Sequence, residues 1–305
     1  MPVIKGAKSP SERFAGANDT HTIEALMQNG WALQSGTSHF LGQNFARAFD
    51  VYYQNASEGR ELVWATSWGV STRLLGAMVM THSDDKGLVL PPRVAPVQVV
   101  IVPITKGPEH GGEDHVNVLH KASELQSALK KAGVRVKIDQ RFEMRPGAKY
   151  FDWERKGLPL RIDIGPKDLA KQSAVMAVRH SSTKQTIDVA TVDGFVTTVR
   201  DALDTMHDEL LNKAKTHLTQ HTFSLTSYQE MKDMLLAGET DKSKAGFYLV
   251  PWKCDAANEA AIKEECKATI RCYPFEHNEL PPAPGTKCFY SQEQATHVAL
   301  FARAF

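Results

Sequence analysis

The sequence has no apolar run as long as a membrane span, which needs about 18 to 20 residues. Its opening stretch, MPVIKGAKSPSERF, also lacks the apolar core of a secretory signal. The sequence therefore gives no indication of a membrane span or of secretion. We therefore expect a cytoplasmic protein that does not associate with a membrane.

Cysteine is scarce, and a surplus of charge of either sign is missing. The four cysteines, Cys254, Cys266, Cys272 and Cys288, form none of the C-x2-4-C pairs common in zinc sites, so we expect reduced thiols. The 36 lysines and arginines nearly balance the 35 aspartates and glutamates, giving a net charge of +1. Such a chain has no strong overall field, so it must bind any polyanion through a local cluster of charge.

Internal repeats and low-complexity tracts are also absent, and composition divides the chain into segments 1–93, 94–215 and 216–305. The first segment closes with the turn-rich stretch Ser83–Gly87 and two consecutive prolines, which disfavour helix and are typical of a joint between domains. We therefore expect a multidomain protein with α/β and α+β parts.

Segments 94–215 and 216–305 both alternate between strand and helix patterns. The β-branched run Val97–Pro103 predicts a buried strand, and a helix that ends before Gly133 follows it. Its predicted buried stripe consists of Val116, Leu119, Ala122, Leu125 and Leu129. Alternating residues at 134–138 and 160–164 predict two more strands. This order indicates an α/β domain with a mixed sheet, followed by a small α/β domain.

Two stretches of the first segment carry groups suited to binding. Gly36-Thr37-Ser38-His39 places hydroxyl and imidazole groups beside a glycine that permits close approach of a ligand. The alternation from Leu62 to Ser67 predicts a strand that runs into Trp68-Gly69 and then a helix, with Arg73 in its first turn. A guanidinium there can bind phosphate. A solvated loop and a solvated arginine remain the alternatives on spacing alone.

The third stretch is locally basic, with nine lysines or arginines against five aspartates or glutamates between Arg141 and Arg179. It contains Tyr150 and Glu154, which share a helix face at this spacing, and Arg161. Aromatic rings stack on unpaired RNA bases, and a carboxylate or a guanidinium can hydrogen-bond a guanine edge. A solvated amphipathic helix is the alternative.

These motifs together resemble a known family. Five stretches, in this order, are similar to prolyl-tRNA synthetases of the eukaryotic and archaeal type: SERFAGANDTHTIEA, GTSHFLGQNF, SWGVSTRLLG, GLVLPPRVAPVQVVIVP and PGAKYFDWERKGLPLRIDIGPKDL. The resemblance covers nearly the whole chain. It implies part of a class II antiparallel-sheet catalytic core in 1–93, an anticodon-binding domain in 94–215, and the family's carboxyl-terminal domain in 216–305.

The resemblance also implies roles for individual residues. In ATP binding they are Gln34, which would also hold Mg²⁺, with Thr37, Ser71 and Arg73; in proline binding, His39, Trp68 and Gly69; and in anticodon binding, Tyr150, Glu154 and Arg161. The partners are then tRNA(Pro), L-proline and ATP. A proline carboxylate attacks the α-phosphorus of ATP, so the protein mainly positions the reactants and neutralises charge, and no residue need shuttle a proton.

Several expected features of the family are missing from the sequence. Its first two signature motifs, which build the homodimer interface and hold the α-phosphate, are not found, so we expect a truncated chain without ligase activity of its own. Only Cys254 and Cys288 match the four zinc ligands of many relatives, so we expect no zinc.

Two other functions stay open at this stage. A natural short form could bind tRNA or a synthetase partner without catalysis. A relative of the threonyl or histidyl enzymes would share the anticodon-domain fold, but not GTSHFLGQNF.

Overall fold

The computed structural model describes residues 1–305, which form two compact units. One unit consists of Met1–Thr81 and Ala214–Phe305, and the other of His82–Lys213. The helices are α1 (Asn44–Ala48), α2 (Arg73–His82), α3 (Gly112–Lys131), α4 (Pro146–Arg155), α5 (Pro166–Ala170), α6 (Val192–Gln220), α7 (Tyr228–Ala237) and α8 (Ala256–Cys266). No helix has the length and apolar character needed to cross a membrane.

Fifteen strands form the sheets of the two units. They are β1 (Ile4–Ala7), β2 (Asp19–Leu26), β3 (Ala32–Gly42), β4 (Tyr52–Gln54), β5 (Arg60–Leu62), β6 (Ala65–Gly69), β7 (Val99–Pro103), β8 (Val136–Ile138), β9 (Leu160–Ile164), β10 (Ser173–Val178), β11 (Lys184–Asp188), β12 (Thr222–Ser224), β13 (Phe247–Trp252), β14 (Thr269–Pro274) and β15 (His297–Ala302).

An eight-stranded sheet spans the first unit in the order β12-β13-β15-β14-β1-β2-β3-β6. Strand β1 joins distant parts of the chain, because it pairs antiparallel with β2 on one side and with β14 on the other. Residues of the predicted first and third segments therefore share one sheet. The division into three consecutive domains stays a prediction beside this grouping.

A buried ion cluster lies where these two parts of the chain meet. Glu24 of β2 is fully buried. Its carboxylate accepts hydrogen bonds from Lys8 at 3.1 Å and from Arg271 of β14 at 3.1 Å. Thr22 donates a third hydrogen bond at 2.8 Å. A buried carboxylate is tolerated only when it is paired in this way, so the cluster ties the amino-terminal strands to β14.

The second unit contains a five-stranded mixed sheet in the order β11-β10-β9-β7-β8. Strand β7 is fully buried and pairs parallel with both β8 and β9, whereas β9, β10 and β11 pair antiparallel. The predicted α/β arrangement with a mixed sheet is confirmed. The core of this unit packs α3 and α6 against one side of the sheet.

Two details differ from the sequence prediction. Val116 belongs to the predicted buried stripe of α3 but is 62% exposed, and the stripe instead contains His115 and Val118 one turn apart. The strand predicted from Leu62 begins only at Ala65 and continues through Trp68 and Gly69. Alternation of side chains did not reveal the break at 63–64, because it persists across that connection.

The ion cluster leads to a test of stability. Replacing Glu24 by Gln leaves Lys8 and Arg271 without their counter-charge, and breaking a buried ion pair costs about 3 kcal/mol or more. Urea unfolding, followed by tryptophan fluorescence, should show this loss in the free energy of unfolding. As a control, Glu239→Gln breaks the more exposed pair with Arg303 and should cost about 1 kcal/mol or less. Equal losses in both variants would contradict the role given to the cluster.

Candidate functional site

Three polar residues predicted to bind ligands lie on one face of β3. Regular alternation would place Gln34 and Thr37 on opposite faces. Ser35, however, is an extra residue in a β-bulge, since Ile23 pairs with Gly36 and Glu24 pairs with Gln34. The partners of Gln34, Thr37 and His39 are Glu24, Thr22 and Thr20, which alternate regularly along β2. We call this shared surface the His39 face.

The His39 ring is held from two sides. Its Nδ1 atom shares a hydrogen bond of 3.0 Å with the Thr20 hydroxyl, and the Phe14 ring lies 4.9 Å away between centroids. The sequence patterns alone indicate no role for Thr20 or Phe14. Both occur in SERFAGANDTHTIEA, the stretch that resembles the family segment before this motif, and that resemblance was the available signal.

Strand β6 lies beside β3 and places Trp68 and Gly69, both predicted to bind proline, on opposite faces of the sheet. Gly69 pairs with Thr37 and therefore lies on the His39 face, whereas Trp68 pairs with Ser38. Alternation places Trp68 on the other face of the sheet, where it is 77% exposed. There it lines a cavity of about 410 Å³ together with Ile23 and other residues. The structure therefore does not bring Trp68 and His39 together on one face.

Ser71 and Arg73 stand at the start of α2, just after β6. The Arg73 backbone N–H donates to the Ser71 hydroxyl at 3.3 Å, which orders this first turn. Both residues are exposed. The Arg73 guanidinium and the positive end of the helix dipole therefore occur at one accessible point, an arrangement suited to phosphate.

Metal binding by the protein alone has little basis in the structure. No group of three or more histidine, cysteine, aspartate or glutamate side chains is arranged to hold a metal ion. The predicted magnesium residue, Gln34, would supply one amide oxygen. Such a limited contribution is compatible with Mg²⁺, which usually binds through one or two protein oxygens, substrate phosphates and water. The expectation about zinc stays a prediction.

The three predicted anticodon residues converge in the second unit. Tyr150 and Glu154 lie on α4, and Arg161 lies on the adjacent strand β9. The Arg161 guanidinium carbon lies 3.6 Å from the Tyr150 ring centroid, and all three residues line a cavity of about 280 Å³. We call this cavity the α4–β9 pocket. It combines an aromatic ring, a carboxylate and a guanidinium.

Asp163 holds two of these groups from behind. It lies two residues after Arg161 on β9, and the Arg161 Nε donates to its carboxylate at 3.0 Å. Burial raises the pKa of Asp163, although Arg161 and the Tyr150 hydroxyl oppose that shift. Burial and the nearby Asp163 charge together raise the pKa of Tyr150 to about 12. The phenol therefore stays neutral at physiological pH, and Arg161 is fixed over its ring.

Further cations surround the pocket. Lys86, Arg179 and Lys184 line it together with the predicted residues. Arg179 is the last residue of the basic stretch between Arg141 and Arg179. The sequence patterns indicate no role for Lys86, Arg179 or Lys184. They come from a loop, from the residue after β10 and from β11, so their meeting depends on the sheet and on the preceding connection. Local sequence patterns do not reveal such a meeting.

A buried polar network fixes α4 against the sheet. Asp139 is 3% exposed and accepts hydrogen bonds from Arg141 Nη2 at 2.6 Å and from Trp153 Nε1 at 2.8 Å. Burial alone would raise the pKa of Asp139, but these hydrogen bonds and the nearby Lys149 outweigh it and hold the pKa at about 2. Since Trp153 lies between Tyr150 and Glu154 along α4, this network sets the position of the pocket wall.

Comparison with family models matches both units. The model described as "Anticodon binding domain" matches residues 98–199, which include the α4–β9 pocket. The model described as "Prolyl-tRNA synthetase, C-terminal" matches residues 239–305.

Curated relatives match the chain along its whole length. Proteins named proline–tRNA ligase are 45% identical over 305 residues in Porphyromonas gingivalis W83, 46% over 305 in Flavobacterium johnsoniae and 46% over 307 in Bacteroides fragilis. Each alignment covers 100% of this chain but only 58–59% of the relative. These three relatives are bacterial, and the eukaryotic and archaeal type stays a prediction.

The Asp139 network predicts a dependence of stability on pH. The pKa of about 2 in the folded protein lies below the usual 3.8, so ionised Asp139 stabilises the fold above about pH 4, and this contribution is lost as the pH falls through about 2. Asp139→Asn should therefore lower the free energy of unfolding by about 2 kcal/mol at pH 7. The gap from the unmodified protein should narrow between pH 4 and pH 2 in urea titrations. The exposed Asp208→Asn is the control, and a gap independent of pH would contradict the assignment.

Proposed function

Since this chain belongs to the prolyl-tRNA synthetase family, whose anticodon-binding and carboxyl-terminal domains it carries, we propose that it binds the anticodon of tRNA(Pro). We propose further that it forms part of a proline–tRNA ligase, which activates L-proline with ATP and transfers it to that tRNA. The chain spans about 58% of the length of the relatives. The complete reaction is accordingly proposed for a ligase of that length, and RNA binding for this chain.

The convergence of Tyr150, Glu154 and Arg161 in one cavity is the observation that supports anticodon binding. The edge of guanine that pairs with cytosine presents two adjacent N–H donors, which a carboxylate such as that of Glu154 can accept. Arg161 can donate to the O6 and N7 atoms of guanine. The half-buried Tyr150 ring offers a stacking surface, so the pocket suits the consecutive guanines of a proline anticodon.

The His39 face supports a part in proline activation. Four residues are proposed to contact ATP: Gln34 and Thr37 of β3, Ser71 just before α2, and Arg73 at its first position. Gln34 is proposed to contact its Mg²⁺ as well. Magnesium, when bound, would neutralise phosphate charge, while the hydroxyl, amide and guanidinium groups orient the nucleotide.

The same surface supports the proposed proline contacts. His39 is fixed by Thr20, and Gly69 leaves open space on the neighbouring strand, so these two residues can border a small ring. Trp68 faces the other side of the sheet, so its proposed contact with proline has no support from this geometry and stays a prediction.

Partners and location follow from the same proposal. L-proline, ATP and tRNA(Pro) are the substrates, a homodimer is the expected assembly for the family, and the cytoplasm is the expected compartment. A binding protein without catalysis is the second candidate, because the α4–β9 pocket lies within one compact unit and draws all its lining residues from it. ATP–pyrophosphate exchange that depends on proline separates these two candidates.

Substitution of Glu154 tests the anticodon proposal. Glu154→Gln replaces one acceptor oxygen by a donor and should weaken binding to a proline-anticodon stem-loop by about tenfold or more, since a matched base contact is worth about 1–3 kcal/mol. A stem-loop with adenines in place of the anticodon guanines should lose little. Fluorescence anisotropy of labelled stem-loops measures both affinities.

Two controls accompany this measurement. Glu143→Gln removes an exposed carboxylate of the same unit and should leave both affinities unchanged. Inosine in place of guanine removes one N–H donor and should reduce the effect of the Glu154 substitution. An equal loss of affinity for the guanine and adenine loops would rule out a base-specific role for Glu154.

A further inference from the structure

A tight turn outside the predicted anticodon segment forms one wall of the α4–β9 pocket. In this turn, Asp84–Gly87, the backbone N–H groups of Asp84 and Gly87 each donate to the carbonyl of the other residue, at 3.2 and 3.1 Å. We call it the Asp84 turn. Its third residue, Lys86, lines the pocket, and the Lys86 backbone N–H donates to the Asp84 carboxylate at 3.0 Å. The turn therefore directs a lysine toward the proposed binding site.

Arg179 fastens the Asp84 turn to the pocket. Its side chain is only 3% exposed. The two terminal guanidinium nitrogens donate to the two Asp84 carboxylate oxygens at 2.8 and 2.6 Å. The same guanidinium also donates to the Glu154 carbonyl at 3.1 Å and to the Gly87 carbonyl at 3.2 Å. One buried arginine thus joins the turn to the end of α4 that carries Glu154.

The backbone fixes the same placement independently. The Leu88 N–H donates to the Arg155 carbonyl at 3.1 Å. Gly87 has a φ of +131°, and a Cβ atom there would lie 2.8 Å from the Arg155 Cα. Such an approach requires glycine at this position. The distance from the turn to α4 is therefore set by main-chain contacts as well as by the arginine.

Lys86 itself is positioned but accessible. Its ammonium group donates to the Ser182 hydroxyl at 3.2 Å and lies 3.9 Å from the Glu154 carboxylate. Its side chain is 59% exposed. It therefore faces the carboxylate proposed to hold a guanine. A base edge bound to that carboxylate would therefore lie beside an ammonium group that solvent can reach.

We propose that Lys86 is a further RNA-binding residue, which contacts a backbone phosphate next to the base held by Glu154. Asp84 and Arg179 are then positioning residues that act through it. This inference rests on the proposed anticodon binding. A phosphate fits the site because an ammonium group is a compact point charge without the planar geometry that favours base edges.

A mutant cycle tests the proposal. Lys86→Ala should weaken binding of the guanine stem-loop by about tenfold, the usual effect of losing a charged hydrogen bond. It should also reduce the slope of log affinity against log salt by about 0.7, as expected for one phosphate contact on a single strand. Lys130→Ala, an exposed lysine of α3, is the control and should change neither quantity. An unchanged affinity and slope for Lys86→Ala would overturn the proposal.

The positioning role has its own outcome in the cycle. As a single substitution, Asp84→Asn should weaken binding of the guanine stem-loop. Added to Lys86→Ala, it should cause no further loss of affinity, because its effect passes through that lysine. Additive losses would exclude this role. Ser182→Ala removes the hydroxyl that accepts from the Lys86 ammonium. If Asp84→Asn lowers the melting temperature, Ser182→Ala replaces it in the cycle, and the same absence of further loss is expected.

Failure of this inference can be distinguished from failure of the anticodon proposal. Discrimination between guanine and adenine loops by Glu154 is measured without altering Lys86. If Glu154→Gln abolishes that discrimination while Lys86→Ala has no effect, anticodon binding stands and the phosphate contact is wrong. If the unmodified protein does not distinguish the loops, the anticodon proposal itself fails.

Discussion

A carboxylate that water cannot reach, that of Glu24, is the constraint on which the first unit depends. Its charge is balanced by Lys8, which follows β1, and by Arg271 of β14. The eight-stranded sheet is continuous only because β1 lies between β2 and β14. The cluster lies at this junction. Glu24 itself pairs with Gln34, so its side chain is on the same side of the sheet as the His39 face. A structural ion cluster therefore supports the strand that carries the proposed substrate contacts.

Regular elements with strong local patterns could be predicted from the sequence. The buried strand β7, the alternating strands β8 and β9 and the helix α4 all follow from β-branched runs, alternation or the Tyr150–Glu154 spacing. The union of the first and third segments in one sheet could not be predicted in this way. It depends on the pairing of Gly6 with Pro274, which are too far apart in the sequence for any local pattern to relate them.

The α4–β9 pocket shows the same division at the level of single residues. Tyr150, Glu154 and Arg161 were predicted to bind the anticodon because they lie close together in a motif that resembles the family. Lys86 and Arg179 were not found, because their positions depend on the packing of a connection against the end of α4. Candidates for ligand contact can thus be predicted from a motif. The residues that hold them often require the tertiary structure, as Asp163 also shows.

The bulge at Ser35 has a consequence for changes in chain length. One residue added elsewhere between Gln34 and His39 would turn part of the His39 face toward the side occupied by Trp68, because strand residues alternate between faces. Loss of Ser35 itself would leave Gln34 and Thr37 two positions apart and still on one side. In this strand, position 35 is therefore where a deletion preserves the orientation of the row, whereas insertions next to it disrupt that orientation.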